Sequence, residues 1–356
     1  MIVRWNVSLS RQQSHDDVCE EVRLMPKFSV ILPVCHGGKF LAHALATLAD
    51  VTPPPGGFEV LIAGNKAEMN DPAVFTFNRI QWRTVDCEGN RSVILNAACA
   101  SARGSIWVFA DDDCVFPDDW LLNIEHALIA HPEAVVLGGG EILPHGAGVF
   151  SLALDEVLNS FAGTGGVRRG RGVSVRAGRY YPKLWNMTVL AAAAKKATLH
   201  GPDQCLIFDP SLCVHEDVDL IQRIAACGGK VAYAPEVMVG HYRDTNFVSF
   251  FKRNMSMAQV CKRLGIHRGA HLALVALMIG LPIMGVASLV VEALKGFFLS
   301  AFGVYTAVVL LTGSKGAVKK KRAVLAGLIP MLIMALHVAR AVGYMLPFSV
   351  KENYNP

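Results

Sequence analysis

The stretch Phe109-Ala110-Asp111-Asp112-Asp113-Cys114-Val115-Phe116-Pro117 decides the fold and the kind of site that this chain can build. It begins in the apolar run Ile106-Trp107-Val108-Phe109, whose length and composition predict a buried strand. Three consecutive carboxylates repel one another, because two unit charges about 4 Å apart cost roughly 4 kcal/mol at an effective dielectric of about 20. A hard divalent cation with oxygen ligands relieves such repulsion best.

The spacing within this acidic cluster, Asp111 to Asp113, restricts how an ion would bind. On an extended backbone Asp111 and Asp113 lie on one side, so both can face a single ion while Asp112 points elsewhere. An EF-hand loop is excluded, because the sixth position from Asp111 is Phe116 and the twelfth is Leu122, where Gly and Glu are required. A solvated loop ahead of a capped helix is the alternative, and the residues alone leave both open.

Composition and charge indicate a globular domain followed by a membrane part. The chain has 356 residues, 52% of them hydrophobic, and the apolar excess lies after residue 270. The net charge of +5 is concentrated in Arg and Lys clusters, which suit a membrane surface or phosphorylated substrates better than nucleic acid. The nine cysteines have no metal-binding spacing, and the lead-in 1–24 lacks the apolar core of a signal peptide. Both features predict a cytoplasmic location for most of the chain.

Strands and helices alternate in the part of the chain around the acidic cluster. Strands are predicted at 28–34, 58–64, 80–85, 106–109 and 134–140, with two short strands at 230–234 and 237–241. Helices are predicted between them, including one at 91–103 that ends before Gly104. The fold class is therefore α/β, with a mostly parallel sheet covered by helices. Ligands of such sheets bind at the carboxyl ends of the strands, where Pro33, Asn65 and the acidic cluster fall.

Two later segments contain more charged residues than folding alone requires. Residues 144–186 include Arg168, Arg169 and Arg171 beside glycines, and these arginines either form a solvated surface or bind phosphate or diphosphate. A predicted helix that stops at Gly228 has Glu216, Asp217 and Asp219 in its first turn. One acid would suffice to complement the helix dipole, so the excess suggests a functional role.

The ordered set of motifs over residues 27–245 resembles family 2 glycosyltransferases, which have the GT-A fold. The residues that carry the resemblance are Pro33 after the first strand, Arg91 to Asn96, Ala110 to Asp113 with Pro117, Trp185-Asn186-Met187, Glu216-Asp217-x-Asp219-Leu220 with Arg223, and Pro235 ahead of His241. The chain departs from the family pattern at Cys35-His36 and at Asn65, which leaves recognition of the nucleotide base open. Near Gln259 it lacks the Trp that ends the Gln-x-x-Arg-Trp string of processive members, which favours a single transfer.

The resemblance implies a site, a cofactor and a donor. Its metal is Mg²⁺ or Mn²⁺, and its donor is a nucleotide-diphospho-sugar. Asp217 is implied as the catalytic base of an inverting reaction. The donor residues implied or expected from their position are Pro33, Asn65, Arg91, Asp111 and Asp112. The metal ligands are Asp111 and Asp113, with His241 as a further candidate or, alternatively, a structural histidine. The acceptor residues expected are Glu216, Arg168, Arg169, Arg171, Trp185 and Asn186.

Three apolar stretches near the end of the chain, 271–291, 294–312 and 323–346, are long enough to cross a bilayer as helices. Basic residues precede the first stretch and separate the second from the third, which predicts that both sites face the cytoplasm. The expected protein is a multi-pass protein of a bacterial-type inner membrane with a cytoplasmic catalytic domain. The expected domains are 25–250, a basic segment 251–270, and a membrane domain 271–348.

The function expected from these features is transfer of one sugar to a hydroxyl of a lipid-linked or membrane-delivered acceptor. A polyprenyl diphosphate saccharide of exopolysaccharide or glycan biosynthesis fits best, with the membrane as the second partner. Two alternatives remain, a transport-associated protein that binds sugar nucleotides and a catalytically inactive scaffold. Three spans are few for a conduit, and intact carboxylates at both acidic motifs argue against the transport protein; metal-dependent hydrolysis of, or transfer from, a nucleotide sugar would separate an enzyme from both alternatives.

Overall fold

The structure is a computed structural model that describes residues 25–34, 40–65, 80–165, 181–200, 205–243 and 246–347. These residues form two compact units. The first contains the described residues up to Pro144 and those from 181 to Tyr242, and the second contains 145–165 and 243–347. The predicted domains 25–250, 251–270 and 271–348 stay a prediction; the compact units differ from them by grouping 145–165 with the C-terminal helices.

A mixed eight-stranded sheet forms the first unit, in the order β3-β2-β1-β4-β7-β6-β10-β5. The strands are β1 Phe28–Val34, β2 Phe58–Gly64, β3 Gln81–Asp86, β4 Ile106–Phe109, β5 Cys114–Val115, β6 Ala134–Ile142, β7 Met187–Leu190, β8 Leu199–His200, β9 Cys205–Leu206 and β10 Lys230–His241. Strands β8 and β9 pair separately as a small antiparallel ladder.

The sheet confirms the predicted α/β class and its mostly parallel strands. Strands β1 to β4 are parallel to one another where they pair, and β6 is parallel to β10. Strand β7 runs antiparallel to both β4 and β6, and β5 runs antiparallel to β10. The sequence did not predict β7, because its four residues follow a segment without regular periodicity. The two short strands expected within 230–241 are one strand with an irregular register.

Helices cover both faces of the sheet. The helices are α1 Leu41–Ala49, α2 Arg91–Ser101, α3 Trp120–Ala130, α4 Val149–Asn159, α5 Phe161–Thr164, α6 Ala191–Lys196, α7 Glu216–Ala226, α8 Phe247–Leu264, α9 Arg268–Val275, α10 Leu281–Ala287, α11 Glu292–Lys320 and α12 Leu325–Met345. Helices α1 and α3 pack in one apolar cluster and α2 and α7 in the other. Successive side chains of a strand point to opposite faces, so Val30 and Leu32 enter the first cluster and Ile31 the second.

The second unit consists of helices α4, α5 and α8 to α12. A π-helical turn, Ala276–Gly280, joins α9 to α10 into one continuous helix. Three helices, Arg268–Ala287, Glu292–Lys320 and Leu325–Met345, are long and apolar enough to cross a membrane. This confirms three apolar helices at the predicted places. The first ends before the predicted residue 291, and the second runs eight residues beyond the predicted 312, because its Lys-rich end continues the helix.

Candidate active site

The predicted donor residues of the strand ends meet at one edge of the sheet. Strand β1 lies between β2 and β4, and all three are parallel, so their carboxyl ends share that edge. Pro33 is in register with Ala63, two residues before Asn65. Ala110 donates its N–H to Ile31 O at 3.1 Å, which extends the β4 pairing to the start of the acidic cluster.

Strand β5 brings the acidic cluster to the end of β10. Its first residue, Cys114, lies opposite His241, and Tyr242 N–H donates to Asp113 O at 3.0 Å. As a result His241 Nε2 lies 3.2 Å from Asp113 Oδ1. The two residues are far apart in the sequence, and a two-residue strand pairing is what joins them.

The second ring nitrogen of His241 and one face of its ring also contact other residues. Its Nδ1 lies 3.0 Å from Glu141 Oε2, and its ring stacks on Trp185 with centroids 5.1 Å apart and planes 17° apart. Burial by itself lowers the pKa of His241, but the carboxylates of Asp113 and Glu141 outweigh burial and raise that pKa to about 9. In the ion-free protein His241 therefore carries a positive charge that balances these carboxylates.

Arg91 connects the acidic cluster to the first turn of α7. It is the first residue of α2, and its guanidinium pairs with Asp111 Oδ1. Its Nε also lies 3.3 Å from Glu216 Oε1. All three side chains are less than one-fifth exposed, so these charges interact with little screening by water.

The remaining members of the acidic stretch are buried. Asp112 is 6% exposed, and burial together with the charges of Asp111 and Asp113 raises its pKa to about 7, although Arg91 acts in the opposite direction. Burial, followed by the same two charges, raises the pKa of the Cys114 thiol well above its usual range. Cys114 therefore stays protonated at neutral pH.

Side chains of α2 fix the loop that leads into α7. Asn90 Nδ2 donates to Pro210 O at 2.7 Å, and Ser92 Oγ donates to Leu212 O at 2.8 Å. Asn96 Oδ1 accepts from Ile207 N and Phe208 N at 2.9 Å each, while its Nδ2 donates to Phe208 O at 2.8 Å. The Arg91-to-Asn96 motif therefore positions both Arg91 and the loop 207–212.

The first turn of α7 presents Asp217. Its Oδ1 accepts from Val218 N at 2.8 Å, and its Oδ2 lies 3.2 Å from Lys183 Nζ. The residue before the helix, His215, has a left-handed backbone with φ of 60°, which is unusual for a residue other than glycine. Asp219 bonds Arg223 one turn further along, at 2.8 Å, so this third acid stabilises the helix.

Asn186 requires a correction, because the structure uses its side chain within the fold. Asn186 is 2% exposed, and its Oδ1 accepts from Trp120 Nε1 at 3.1 Å. Its Nδ2 donates to the carbonyls of Gly140 and Val237, at 2.9 Å each. A Cβ atom at Gly139 would lie 2.3 Å from Asn186 Nδ2, so this approach requires the glycine. The predicted acceptor contact of Asn186 is not compatible with these bonds.

A group that can hold a metal ion comprises Asp113, Cys114 and His241, whose ligand atoms lie within 4.8 Å of one another. Asp113 Oδ1 is buried beside His241 Nε2, at 3.2 Å, and a cation bound between these two atoms would replace the proton of the imidazole. A protonated thiol is a poor ligand for a hard cation, which leaves Asp113 and His241 as the donors that fit. The predicted ligand Asp111 points to Arg91 instead.

Most of the predicted site residues gather at one sheet edge, through β1, β2, β4, β5 and β10 and the Arg91 connection to α7. The structure adds two residues that the sequence did not indicate. Glu141 pairs with His241 and Lys183 pairs with Asp217, and neither belongs to a motif that could have revealed it. The predicted acceptor residues Arg168, Arg169 and Arg171 lie outside the described residues.

Comparison with known proteins agrees with this fold. Residues 29–165 match the family model described as Glycosyl transferase family 2. The mannosyltransferase PcManGT from Pyrobaculum calidifontis, solved in complex with GDP-Man and Mn²⁺, is similar in structure, with a TM-score of 0.54 and 17% identity over 88% of this chain and 87% of that chain. No curated protein matches the chain.

S. aureus TarS is also similar. The structure of its residues 1–349 has a TM-score of 0.45 and 18% identity over 65% of this chain and 64% of that chain. The complex of TarS 1–349 with UDP-GlcNAc has a TM-score of 0.43 and 17% identity over 65% of both chains. The chain thus spans slightly less than two thirds of these TarS chains.

The sheet order, the acidic cluster after β4 and the helices on both faces define a glycosyltransferase domain of GT-A fold. Over residues 29–165 the chain is similar to glycosyltransferase family 2, and this similarity supports a transferase.

Proposed function

We propose that the chain moves one sugar from a nucleotide-diphospho-sugar to a hydroxyl of a lipid-linked or membrane-delivered acceptor, with inversion at the anomeric carbon. The observation that carries the proposal is the Arg91 bridge, which joins the acidic cluster through Asp111 to the α7 turn through Glu216. One guanidinium thereby joins the proposed donor site to the helix turn that also carries the proposed base, Asp217.

The donor would bind at the carboxyl edge of β2, β1 and β4. Pro33 and Asn65 lie there with Asp111 and Asp112, and Arg91 supplies a positive charge for the diphosphate. The bound GDP-Man of PcManGT, whose fold is similar, supports a donor of this class.

A divalent cation, Mg²⁺ or Mn²⁺, would be held by Asp113 and His241, with Asp111 as the further predicted ligand. The buried Asp113 Oδ1 beside His241 Nε2 fits this assignment, and so does the Mn²⁺ in PcManGT. When bound, such an ion stabilises the negative charge that gathers on the leaving diphosphate. Glu141 would orient the His241 ring through its Nδ1, as partners behind a metal ligand do.

Asp217 would act as the base. Its carboxylate takes the proton of the attacking hydroxyl, and the acceptor oxygen forms a bond to the anomeric carbon. The bond from that carbon to the diphosphate breaks, and its electron pair leaves with the diphosphate. Lys183 Nζ and Val218 N–H hold the two oxygens of Asp217 and fix its direction.

The acceptor would reach the site from the membrane. The three apolar helices of the second unit support membrane attachment, and the basic residues around them support a cytoplasmic catalytic domain. Glu216 and Trp185 are the described candidates for acceptor contacts. Arg168, Arg169 and Arg171 are the candidates for a polyprenyl diphosphate of a lipid-linked saccharide in exopolysaccharide or glycan biosynthesis.

A thermal-shift screen of nucleotide sugars tests the proposal. We expect one nucleotide-diphospho-sugar to raise the melting temperature in the presence of Mn²⁺ or Mg²⁺ and to lose that effect with chelator. His241→Phe keeps an aromatic ring against Trp185 but removes the nitrogen donors, so it should abolish the metal-dependent part. Equal stabilisation of the His241 variant and the wild type would contradict the metal assignment.

A further inference from the structure

Helix α12 is the most covered of the three apolar helices of the second unit. In its most apolar part 44% of the residues are buried within the protein, against 11% for the α9–α10 helix and 6% for α11. Helix α4 covers the first half of α12, where Leu154 shares an apolar cluster with Leu325 and Ile329. Helix α8 covers the second half, where a Cβ atom at Gly343 would lie 2.2 Å from Met255 O. The glycine therefore allows the backbones of α8 and α12 to approach closely.

The covered half of α12 contains a guanidinium, Arg340, that no carboxylate of the described chain neutralises. The carboxylates in the described part of the second unit are Asp155, Glu156 and Glu292, and each pairs with a different cation. Among the described residues Arg340 also makes no hydrogen bond. A guanidinium stays charged at physiological pH, and a charge in an apolar helix is costly unless an anion compensates it. An external anion is therefore the partner that Arg340 fits.

Two further polar side chains share the face of α12 that carries Arg340. His337, Arg340 and Tyr344 follow at intervals of three and four residues, which places them on one side of the helix. Both ring nitrogens of His337 already have partners, since Nε2 lies 2.7 Å from Ala162 O and Nδ1 lies 3.2 Å from Tyr305 Oη. The hydroxyl of Tyr344 makes no hydrogen bond to the described part of the chain. Arg340 and Tyr344 therefore have donors left for a ligand.

Helices α8 and α9 add two basic side chains beside Tyr344. Lys262 Nζ, from the last turn of α8, lies 5.9 Å from the centre of the Tyr344 ring. His271 of α9 stacks on the same ring, with centroids 5.0 Å apart, and is close enough to Arg340 for their charges to interact. His271 Nδ1 lies 3.1 Å from His267 O and donates to it, so Nε2 is left for a ligand. Lys262, His271, Arg340 and Tyr344 thus form a basic cluster.

The side chains next to this basic cluster are apolar and exposed. Leu272, which follows His271, is 48% exposed, and Met345 and Leu346, which follow Tyr344, are 54 and 41% exposed. Exposed apolar side chains beside a charged group fit an amphiphile better than a small ion, because acyl chains can cover them. Arginine binds the oxygens of a phosphate in a fork. Charge and apolar surface together indicate a phosphate that is attached to a lipid.

We propose that the basic cluster binds the phosphate of a membrane lipid, with Arg340 as the principal contact. The Arg340 guanidinium would hold two phosphate oxygens, and the Tyr344 hydroxyl and protonated His271 Nε2 would donate to the same group. Lys262 would add attraction at longer range. All four residues belong to the second unit, so the site does not depend on the proposed transfer reaction.

Binding of a short-chain phosphatidylglycerol to the full-length protein tests the proposal. The protein would be purified in a maltoside detergent, which contains no phosphate, and its melting temperature would be followed along the lipid titration. A diacylglycerol with the same chains lacks the phosphate, and inorganic phosphate lacks the chains. We expect phosphatidylglycerol to raise the melting temperature at concentrations at which neither of these has an effect. Nucleotide sugar and metal are left out, so loss of transfer activity affects the proposed function only.

Variants assign the binding to the cluster. Arg340→Gln should weaken binding of the lipid by about 10- to 100-fold, the range for a hydrogen bond to a charged group. Arg322→Gln, at an exposed position outside the cluster, is the matched control and should bind like the wild type. Tyr344→Phe keeps the ring that contacts His271 and Lys262 and removes only the hydroxyl, so it should weaken binding by about three- to tenfold. It keeps the test available if Arg340→Gln does not fold.

Three outcomes would overturn the proposal. Lipid binding that is unchanged in Arg340→Gln, or in Tyr344→Phe where the first variant does not fold, would exclude the cluster as the site. Equal binding of diacylglycerol would show that the apolar surface acts alone. Inorganic phosphate that binds as tightly as the lipid would exclude a lipid as the ligand.

Discussion

The role of Asp217 can be separated from its ion pair with Lys183 by two substitutions. Asp217→Asn keeps the shape and the oxygen that accepts from Val218 N–H, but it removes the proton acceptor. A lost general base costs roughly 10²–10⁴-fold in turnover, or about 2.7–5.4 kcal/mol of transition-state stabilisation. Lys183→Met removes the same ion pair and leaves the base in place.

The structure sets the size of the expected difference. The Lys183 to Asp217 contact is 3.2 Å long and the two side chains are 24 and 8% exposed, so its loss should cost about 1–3 kcal/mol of stability. Lys183→Met should also misorient Asp217, and we expect this to lower turnover by less than about tenfold.

The assay is steady-state turnover with donor affinity measured alongside by thermal shift. We expect Asp217→Asn to bind the donor normally and to be slower than Lys183→Met by at least about tenfold. Asp219→Asn is the matched control, since it removes a neighbouring carboxylate that bonds Arg223. Equal turnover of Asp217→Asn and Lys183→Met would refute the assignment of Asp217 as base and leave it as the partner of Lys183.

Three further predictions concern stability, pH and the acceptor. Asn186→Leu should lower the free energy of unfolding by about 3–5 kcal/mol, because it removes the hydrogen-bond partner of Trp120 Nε1 and of the carbonyls of Gly140 and Val237. Asn123→Leu, at a partly exposed position of α3, should change it little; chemical denaturation measures both, and similar values would contradict the structural role. Burial raises the pKa of Asp112 from 3.8 to about 7, so the free energy of unfolding of the metal-free protein should fall by up to about 4 kcal/mol as pH rises from 4 to 7. Unfolding curves with chelator should show this fall for the wild type and not for Asp112→Asn, and the same pH slope in both would contradict it. Replacing Arg168, Arg169 and Arg171 with Ala should weaken use of a diphosphate-linked lipid acceptor far more than donor binding, and acceptor titrations showing normal use would place the acceptor elsewhere.

The fold was predictable wherever residue pattern and local structure agree. The strands β1, β2 and β4 are short apolar runs, and Asn65 and Asp111 follow closely on β2 and β4, so both the strands and the shared edge could be inferred. Strand β7 was missed because four residues within an irregular segment carry no periodicity of their own, and only pairing with β4 and β6 makes them a strand.

The site was predictable as a list of residues but not as an arrangement. Asp113 and His241 meet through the two-residue strand β5, and nothing in the sequence of Cys114–Val115 indicates that pairing. Asp111 turns to Arg91 because a guanidinium offers it stronger bonding than water does. Asn186 belongs to an expected motif, but its side chain is buried beside Gly139 and is used within the fold.

The membrane part shows the limit of composition. Length and apolarity predicted all three C-terminal helices, but they do not indicate which of them other helices cover: 44% of the most apolar part of α12 is buried, against 6% for α11. The contacts of α8 and α4 distinguish α12, and these depend on tertiary structure.

The central claim is a metal-dependent sugar transfer at the acidic cluster, and turnover of Asp113→Ala tests it most directly. Release of the nucleoside diphosphate from the donor found by the thermal-shift screen would be measured with Mn²⁺ or Mg²⁺ and with chelator. We expect the wild type to turn over only with the ion, and Asp113→Ala to lose both turnover and the metal-dependent stabilisation by donor. Near-normal turnover of Asp113→Ala in the presence of chelator would contradict the account.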